Sequence, residues 1–145
     1  MFALEQEWDE VDFAVRTFQK TMMRVRYSDI PVVVAPHGLA LGGGCEIALH
    51  ADKVVAYAET YTGLVEVGAG LIPAGGGSKE FALRISDATF DGDIELPSLK
   101  NAFLTLGMAK VSTSAKEAFD LGYYKNGREE STSNSFMIDE NRADS

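Results

Sequence analysis

The chain has little cysteine and little histidine: Cys45, His37 and His50 are the only such residues among 145. A single cysteine excludes an internal disulfide. Cys45 lies in an apolar segment typical of a helix, which favours a small buried thiol over a redox or nucleophilic group. No Cys, Asp or Glu stands around either histidine at the spacing of metal ligands. We therefore expect structural or surface roles for both histidines and no metal site.

Positive charge and long apolar runs are also scarce. The 13 Lys and Arg residues are outnumbered by 22 Asp and Glu, which gives a net charge of −9. This balance argues against nucleic acid as the main partner, because a phosphate backbone requires clustered Lys and Arg. No secretory hydrophobic region begins the chain, and no apolar run approaches the roughly 18 residues of a membrane helix. We expect no nucleic-acid partner, no membrane partner and a cytoplasmic location.

What the chain does have is enough apolar content for one hydrophobic core. Apolar residues make up 46% of the 145 residues, which suits a single globular domain over 1–145. Within it we predict a helix over 1–28, a core over 31–86 that carries the candidate site, and helices with a polar tail over 87–145.

Three consecutive glycines, 42–44, interrupt an apolar run that resumes as a predicted helix. Residues 31–35 before them are β-branched and uncharged, a pattern typical of a strand buried on both faces. The unit therefore reads strand, glycine turn, helix. Unpaired N–H groups and the positive end of the helix dipole favour an anionic oxygen at a helix start, and glycines let it approach the backbone. The pattern predicts a site for an anion or oxyanion.

These glycines fit neither of two common nucleotide-binding motifs. A phosphate loop starting at Gly38 would require Lys and then Ser or Thr at the positions of Gly44 and Cys45. The dinucleotide motif starting at Gly42 has Ile47 where its third glycine belongs. An oxyanion hole is the reading that remains.

Two carboxylates stand in unusual places near this turn. Glu46 falls on the first turn of the predicted helix, and Glu66 follows inside the apolar segment 64–67. If both line one cavity, desolvation and mutual repulsion push their pKa values apart, which suits one to donate a proton and the other to accept it. Taken alone, Glu46 is also explained as an acid that is favourable to the helix dipole.

Hydrophobic spacing predicts the other elements of the first half. Apolar residues at steps of three or four over 5–27 predict a helix packed on a sheet. Residues 53–58 read as a second buried strand and 60–64 as a short third, with Glu66 just after its end.

A second glycine triplet, 75–77, precedes another predicted helix that begins at about Ser78. Either this helix start holds an anion such as a phosphate of a ligand, or the glycines only form a tight turn. The side chains expected to face inward are Phe81, Ala82 and Ile85.

The second half of the chain carries clear helix signals. Acidic residues and a glycine in 87–95 predict a solvent-exposed loop. Pro97 fits the first turn of a helix that runs to residue 107. Ser114 and Glu117 predict a capping box for the next helix, and Gly122 predicts its left-handed end.

Taken together, these motifs resemble the crotonase family, that of enoyl-CoA hydratase. The matching segments are 38–46, 51–52, Glu66 and 70–77, with a weaker match over 114–122. One short glycine motif would be weak, but two glutamates at the family's spacing and the following Ile-Pro-x-Gly-Gly run make coincidence improbable. The whole pattern is similar to the crotonase module of bacterial 3-hydroxyacyl-CoA dehydrogenases of fatty-acid β-oxidation.

The resemblance implies an α/β fold, a partial crotonase-like ββα spiral followed by C-terminal helices. It implies an acyl-CoA thioester whose carbonyl oxygen is bound in an oxyanion hole, with the N–H of Gly43 as one donor. Glu46 and Glu66 map onto the two glutamates that act on one water in the hydratases, which add water to a 2-enoyl-CoA. No separate cofactor is implied, because coenzyme A is part of the substrate. More weakly, the resemblance implies that substrate is bound by Gly42, Gly44, Leu71, Pro73 and Gly75.

The resemblance also implies partners: a homo-oligomer, either a trimer or a hexamer, and a covalently linked NAD-dependent dehydrogenase domain. The family's first oxyanion donor comes from a loop that has no counterpart here, so the chain is expected to be a fragment that catalyses weakly or not at all alone. An enoyl-CoA isomerase or another enolate-forming crotonase is one alternative. A non-catalytic piece that binds acyl-CoA or drives oligomerisation is another. Lys79 and Arg84 either meet CoA phosphates or are solvated.

Overall fold

The computed structural model describes residues 7–90, 92 and 94–125. Parts of the predicted first helix, of the acidic loop and of the polar tail (1–6, 91, 93 and 126–145) lie outside the described residues. The helices are α1 (Trp8–Arg26), α2 (Gly43–His50), α3 (Gly77–Ala88), α4 (Glu95–Gly107) and α5 (Ala115–Asp120). The strands are β1 (Val33–Val34), β2 (Leu39–Leu41), β3 (Lys53–Val54) and β4 (Tyr61–Gly63). A short 3-10 helix, Glu66–Ala69, follows β4.

The strands form two parallel pairs, β1 with β3 and β2 with β4. Strand β2 was missed by the sequence analysis, which placed residues 37–41 in the apolar run before the glycine turn. It is β2 that leads into α2: Gly42 has a left-handed φ of 54° and donates its backbone N–H to the carbonyl oxygen of Gly63 at 2.8 Å. A side chain at that φ would be strained. The strand, turn and helix are therefore present, but the strand is β2 and not 31–35.

Each of the segments 31–35 and 53–58 contains a short strand, but the predictions that 31–35 is buried on both faces and that 53–58 is a buried strand are wrong. Only two residues of each segment are in a strand, and the side chains of Val33, Val55 and Tyr57 are 58%, 54% and 60% exposed. In the described part of the chain each sheet has only two strands. A two-stranded pair covers little surface, so apolar side chains on its outer face stay in contact with solvent.

Helix α1 is confirmed, but its packing differs from the prediction. Among the described elements it packs mainly against another helix, α2. Of the predicted apolar stripe only Met22 is fully buried, whereas Trp8 is 62% exposed. Periodicity identifies which face of a helix is apolar, but it does not show how much of that face meets another layer.

Helices α3 and α4 lie close to their predicted positions. Helix α3 begins at Gly77 and continues through Ala88 into the segment predicted as a loop. Phe81 is buried as expected, but Ala82 is exposed and that part of the prediction is wrong. Helix α4 begins two residues before Pro97, which lies in its first turn as predicted.

The start of α5 has one half of the predicted capping box. The Ser114 hydroxyl oxygen accepts the backbone N–H of Glu117 at 3.1 Å, which confirms the N-cap. The Glu117 carboxylate accepts instead from the backbone N–H and hydroxyl of Thr113, at 2.8 and 2.9 Å. Gly122, with φ 83°, confirms the left-handed end.

The hydrophobic core lies where α2, α3, β4 and the segment after α5 meet. Its buried members are Cys45, Ala48, Leu49, Leu64, Phe81, Ala118, Tyr123 and Tyr124. The rings of Phe81 and Tyr123 meet edge to face, with centroids 5.6 Å apart. Cys45 is a free, fully buried thiol, as expected. Among the described helices, none combines the length and apolar character needed to cross a membrane.

Candidate active site

Glu46 is buried in the first turn of α2 and is fixed by the start of α3. Its side chain is 1% exposed, and its Oε1 accepts the backbone N–H of Gly77 at 2.9 Å. A helix start offers unpaired N–H groups and a positive dipole end. The second glycine triplet thus holds a carboxylate of the protein itself. Glu46 also lies in the first turn of α2, where an acid is favourable to the helix dipole, so the alternative given by the sequence stays open.

Glu66 stands at the first position of the 3-10 helix that follows β4. A Cβ placed on Gly42 would lie 3.3 Å from Oε1 of Glu66, so this carboxylate reaches the glycine turn before α2. Its Oε2 is buried, and no described residue donates a hydrogen bond to it. A buried acceptor without a donor from the protein has capacity to accept one from water or substrate.

The burial of Glu46 and the nearby charge of Glu66 both act on the Glu46 carboxyl group. Burial raises the pKa of Glu46 above its usual value, and the negative charge of Glu66 raises it further. Hydrogen bonds from the backbone N–H groups of Gly77 and Gly75 act in the opposite direction. The carboxylate of Glu66 therefore reaches the turn formed by 42–44, whereas that of Glu46, on the helix that begins at this turn, lies against the second glycine triplet, 75–77. The two carboxylates singled out in the sequence are close enough for the charge of Glu66 to act on Glu46. Their catalytic roles stay predictions.

The three glycines of this turn differ in whether their backbone N–H groups are hydrogen-bonded. The N–H of Gly42 is already donated to Gly63. Gly43 and Gly44 lie in the first turn of α2, and no described residue accepts a hydrogen bond from their N–H groups. These groups are free to bind an oxyanion. Gly43 stays the predicted donor, and nothing lies within 4 Å of a Cβ placed on Gly44.

Phe18 of α1 closes one side of the site, a contact that the sequence analysis missed. A Cβ placed on Gly43 would lie 2.8 Å from Cζ of Phe18. A Cβ on Gly75 would collide with both Phe18 and the Glu46 carboxylate. The backbones of both glycines thus approach the ring too closely for any side chain. In the sequence, Phe18 was one of several apolar residues in the α1 stripe, and no signal set it apart.

The other residues predicted to bind substrate differ in their burial and in their contacts. Pro73 is buried, and its carbonyl accepts from Ser78 at 3.4 Å. Leu71 donates its N–H to the carbonyl of Glu66 at 3.0 Å, while its side chain is 66% exposed. Gly75 lies directly against Glu46. Of this set, Gly75 contacts a candidate catalytic side chain.

Arg84, a candidate for binding a CoA phosphate, lies in a network of hydrogen bonds within the protein. Arg84 bonds to Glu80 and to the carbonyl oxygens of Leu49, Gly122 and Tyr123, so its guanidinium is not available to a CoA phosphate. His37 is exposed and His50 is buried. In residues 7–90, 92 and 94–125, no cluster of three or more His, Cys, Asp or Glu side chains could hold a metal ion.

Comparison with known proteins gives consistent matches. A family model described as Enoyl-CoA hydratase/isomerase matches residues 3–89. A probable 3-hydroxyacyl-CoA dehydrogenase of Bacillus subtilis is 47% identical over 116 residues, which are 80% of this chain and 14% of that protein. A short-chain-enoyl-CoA hydratase of Clostridium acetobutylicum is 40% identical over 63 residues, which are 43% of this chain and 24% of that protein.

Solved structures agree with these matches. An enoyl-CoA hydratase from Bacillus anthracis superposes with a TM-score of 0.65 at 28% identity, over 80% of this chain and 40% of that chain. One from Polaromonas sp. JS666 gives a TM-score of 0.64 at 25% identity, over 86% and 44%. The chain thus spans less than half of these structures, and about a seventh of the Bacillus subtilis relative.

Proposed function

Because the chain belongs to the enoyl-CoA hydratase/isomerase family, we propose that it carries a hydratase-type site, with Glu46 and Glu66 as its acid–base pair. The predictions of crotonase-family membership and of a partial α/β crotonase fold are confirmed by the family match and the structural neighbours. The steps catalysed by this chain, its substrate and its partners are proposals.

The proposed reaction adds water across the C2–C3 double bond of a 2-enoyl-CoA. One carboxylate takes a proton from water while the water oxygen bonds to C3, and the double-bond electrons move onto the thioester carbonyl as an enolate. The N–H of Gly43 donates to that oxygen, an interaction of a kind typically worth about 3 to 4 kcal/mol in the transition state. The other carboxyl group then delivers a proton to C2, which restores the carbonyl.

The observation that carries this proposal is that a buried glutamate, Glu46, stands in the first turn of the helix that follows the glycines 42–44, while the carboxylate of Glu66 reaches the same turn. Glu46 has a pKa raised by burial and by the charge of Glu66, so it holds a proton to higher pH than an ordinary glutamate. Glu66 has a buried oxygen without a donor from the described residues. A carboxyl group whose protonated form is favoured and a free acceptor fit the two functions that hydration requires.

The names of the relatives support a place in acyl-CoA metabolism. The Clostridium relative is named as a short-chain-enoyl-CoA hydratase, and the Bacillus subtilis relative as a probable 3-hydroxyacyl-CoA dehydrogenase. We propose that the chain acts on acyl-CoA thioesters in fatty-acid β-oxidation and is joined to a dehydrogenase domain. A homo-oligomeric state and a cytoplasmic location are proposed on the same family grounds.

The test uses hydration of crotonyl-CoA, followed by loss of the absorbance of the conjugated thioester. Because the chain spans less than half of the solved hydratases, the assay is also run on a graft in which residues 31–86, which carry both glutamates, replace their counterpart in the Clostridium hydratase. The graft is expected to turn over. Glu46→Gln or Glu66→Gln in the graft is expected to lower kcat by about 10²- to 10⁴-fold.

Glu59 provides a matched control, because it is an exposed glutamate that lies between the two candidates in the chain. Glu59→Gln in the graft is expected to leave turnover unchanged. If the graft that carries both Glu46→Gln and Glu66→Gln hydrates crotonyl-CoA at the parental rate, the acid–base assignment is wrong. Rapid conversion of a 3-enoyl-CoA without hydration would identify the isomerase alternative instead.

A further inference from the structure

His50, the last residue of α2, has a buried ring with one nitrogen against the backbone of Glu46. The residue is 2% exposed, and Nδ1 lies 2.6 Å from the Glu46 carbonyl oxygen. A carbonyl oxygen only accepts hydrogen bonds, so Nδ1 must be the protonated nitrogen of the ring. In the neutral ring Nε2 then carries a lone pair, and Nε2 has no hydrogen-bond partner among the described residues.

The opposite edge of the ring lies against Gly76. A Cβ placed on Gly76 would be 2.7 Å from Nε2 and 2.8 Å from Cε1 of His50. Gly76 caps the start of α3 with a left-handed φ of 117°, and the next residue, Gly77, donates its N–H to the Glu46 carboxylate. The ring therefore separates the end of α2 from the same backbone turn that holds the carboxylate of Glu46.

The surroundings of the ring favour its neutral form. Burial is the main cause that lowers the pKa of His50, and the positive charges of Arg26 and Lys79 lower it further. The hydrogen bond to the Glu46 carbonyl and the charge of Glu80 raise it, but they do not offset burial. A second proton on the ring would also place a buried N–H against Gly76 without an acceptor.

We propose that His50 is a positioning residue for Glu46: its neutral ring sets the spacing between α2 and α3 at which the Gly77 N–H reaches the Glu46 carboxylate. The ring touches the backbone of Glu46 and Gly76 and no reacting atom, so its effect on catalysis is indirect. That catalytic consequence rests on the proposed function, whereas the spacing itself does not.

Two measurements test the spacing without any assay of turnover. The ring ¹⁵N shifts of His50 should show the proton on Nδ1; a neutral ring with the proton on Nε2 would overturn the proposal. In a ¹³C titration of the Glu46 carboxyl, His50→Ala should raise the pKa of Glu46 above its value in the unchanged chain, because the Gly77 hydrogen bond that lowers it is weakened. An unchanged titration in folded His50→Ala would also overturn the proposal.

Conservative and distant variants separate positioning from a general loss of stability. His50→Gln keeps much of the length of the ring and an amide N–H that can reach the Glu46 carbonyl. The pKa of Glu46 in this variant should therefore be close to its value in the unchanged chain. His37→Ala removes an exposed histidine and should leave the pKa of Glu46 unchanged. If His50→Ala does not fold, the Gln variant and the ring tautomer decide the outcome. A purely structural role would lower the free energy of unfolding without moving the Glu46 titration.

The catalytic consequence is measured in the graft with the Clostridium hydratase. His50→Ala should lower kcat by about 10- to 100-fold with little change in KM, because misplacing a reacting group impairs the chemical step more than binding. His50→Gln should recover most of that loss. A graft that fails to hydrate crotonyl-CoA even with His50 present would count against the proposed function alone, since the titration still decides the positioning role.

Discussion

The Glu80 carboxylate and the Arg84 guanidinium form an ion pair at 3.0 Å, with side chains only 1% and 12% exposed. Arg26 of α1 lies 3.2 Å from the same oxygen of Glu80. Arg84 also donates to the carbonyl oxygens of Leu49 and Gly122, at 2.8 and 2.6 Å. One guanidinium thus connects α3 to the end of α2 and to the segment after α5, where the core lies.

Replacing Arg84 by Met is expected to destabilise the fold strongly. The variant leaves Glu80 buried with Arg26 as its remaining ion-pair partner among the described residues, and it removes the Arg84 donor from the carbonyl oxygens of Leu49, Gly122 and Tyr123. Breaking a buried pair in this way typically costs about 3 to 5 kcal/mol. The free energy of unfolding is measured by urea titration with far-ultraviolet circular dichroism.

Lys116→Met is the matched control. Lys116 and Asp120 form an ion pair at the same helical spacing, at 2.8 Å, but their side chains are 78% and 60% exposed. Its loss should change the free energy of unfolding by no more than about 0.5 kcal/mol. Equal effects of the two variants would show that burial of the Glu80–Arg84 pair is unimportant.

Replacing Gly75 by Ala tests the close approach at the candidate site. The added Cβ would collide with the Glu46 carboxylate, which is buried, and with the Phe18 ring, which is 36% exposed. Overpacking of this kind typically costs about 1 to 3 kcal/mol. In Gly107→Ala the added Cβ meets only Phe103, at 3.9 Å, an ordinary contact. We expect Gly107→Ala to have the same free energy of unfolding as the unchanged chain. Similar losses of stability in the two variants would contradict the crowding at Gly75.

Much of the local structure was predictable because helix ends carry residue-specific signals. Ser114 caps α5, Gly122 ends it, and Pro97 lies in the first turn of α4. Strand β2 was not predictable in the same way. Its three residues, Leu39–Leu41, belong to an apolar run whose composition fits a buried strand or a buried helix, and only pairing with β4 distinguishes them.

Burial of charged groups was the part that sequence could not supply. Glu80 and Arg84 have the spacing of an ordinary solvated pair on a helix surface, and the packing of α3 against its neighbours places them inside. The proximity of Glu46 and Glu66 was predicted from the family resemblance, but the anchoring of Glu46 by Gly77 and the contact with Phe18 were not. These contacts join elements that are distant in the chain, so no local pattern encodes them.

The raised pKa of Glu46 predicts a specific pH dependence of stability. Because its folded-state pKa lies above the ordinary value of 4.5, the folded chain retains this proton over a pH range where the unfolded chain has lost it. The stability associated with Glu46 is then fully present below pH 4.5 and is lost as pH rises through the folded-state pKa. Gln cannot titrate, and its side-chain oxygen can still accept the Gly77 N–H. The free energy of unfolding of the unchanged chain should therefore fall relative to that of Glu46→Gln as pH rises from 4.5.

Urea unfolding of both proteins between about pH 4 and pH 8 measures this difference. It should change in one direction only, and it should become constant once the pH exceeds the folded-state pKa of Glu46. Glu59→Gln, at an exposed position, serves as the control, and we expect its free energy of unfolding to stay within about 0.5 kcal/mol of that of the unchanged chain. A difference for Glu46→Gln that is constant across the range would mean that burial and the charge of Glu66 do not act on this carboxyl, and the acid–base pairing would lose its physical basis.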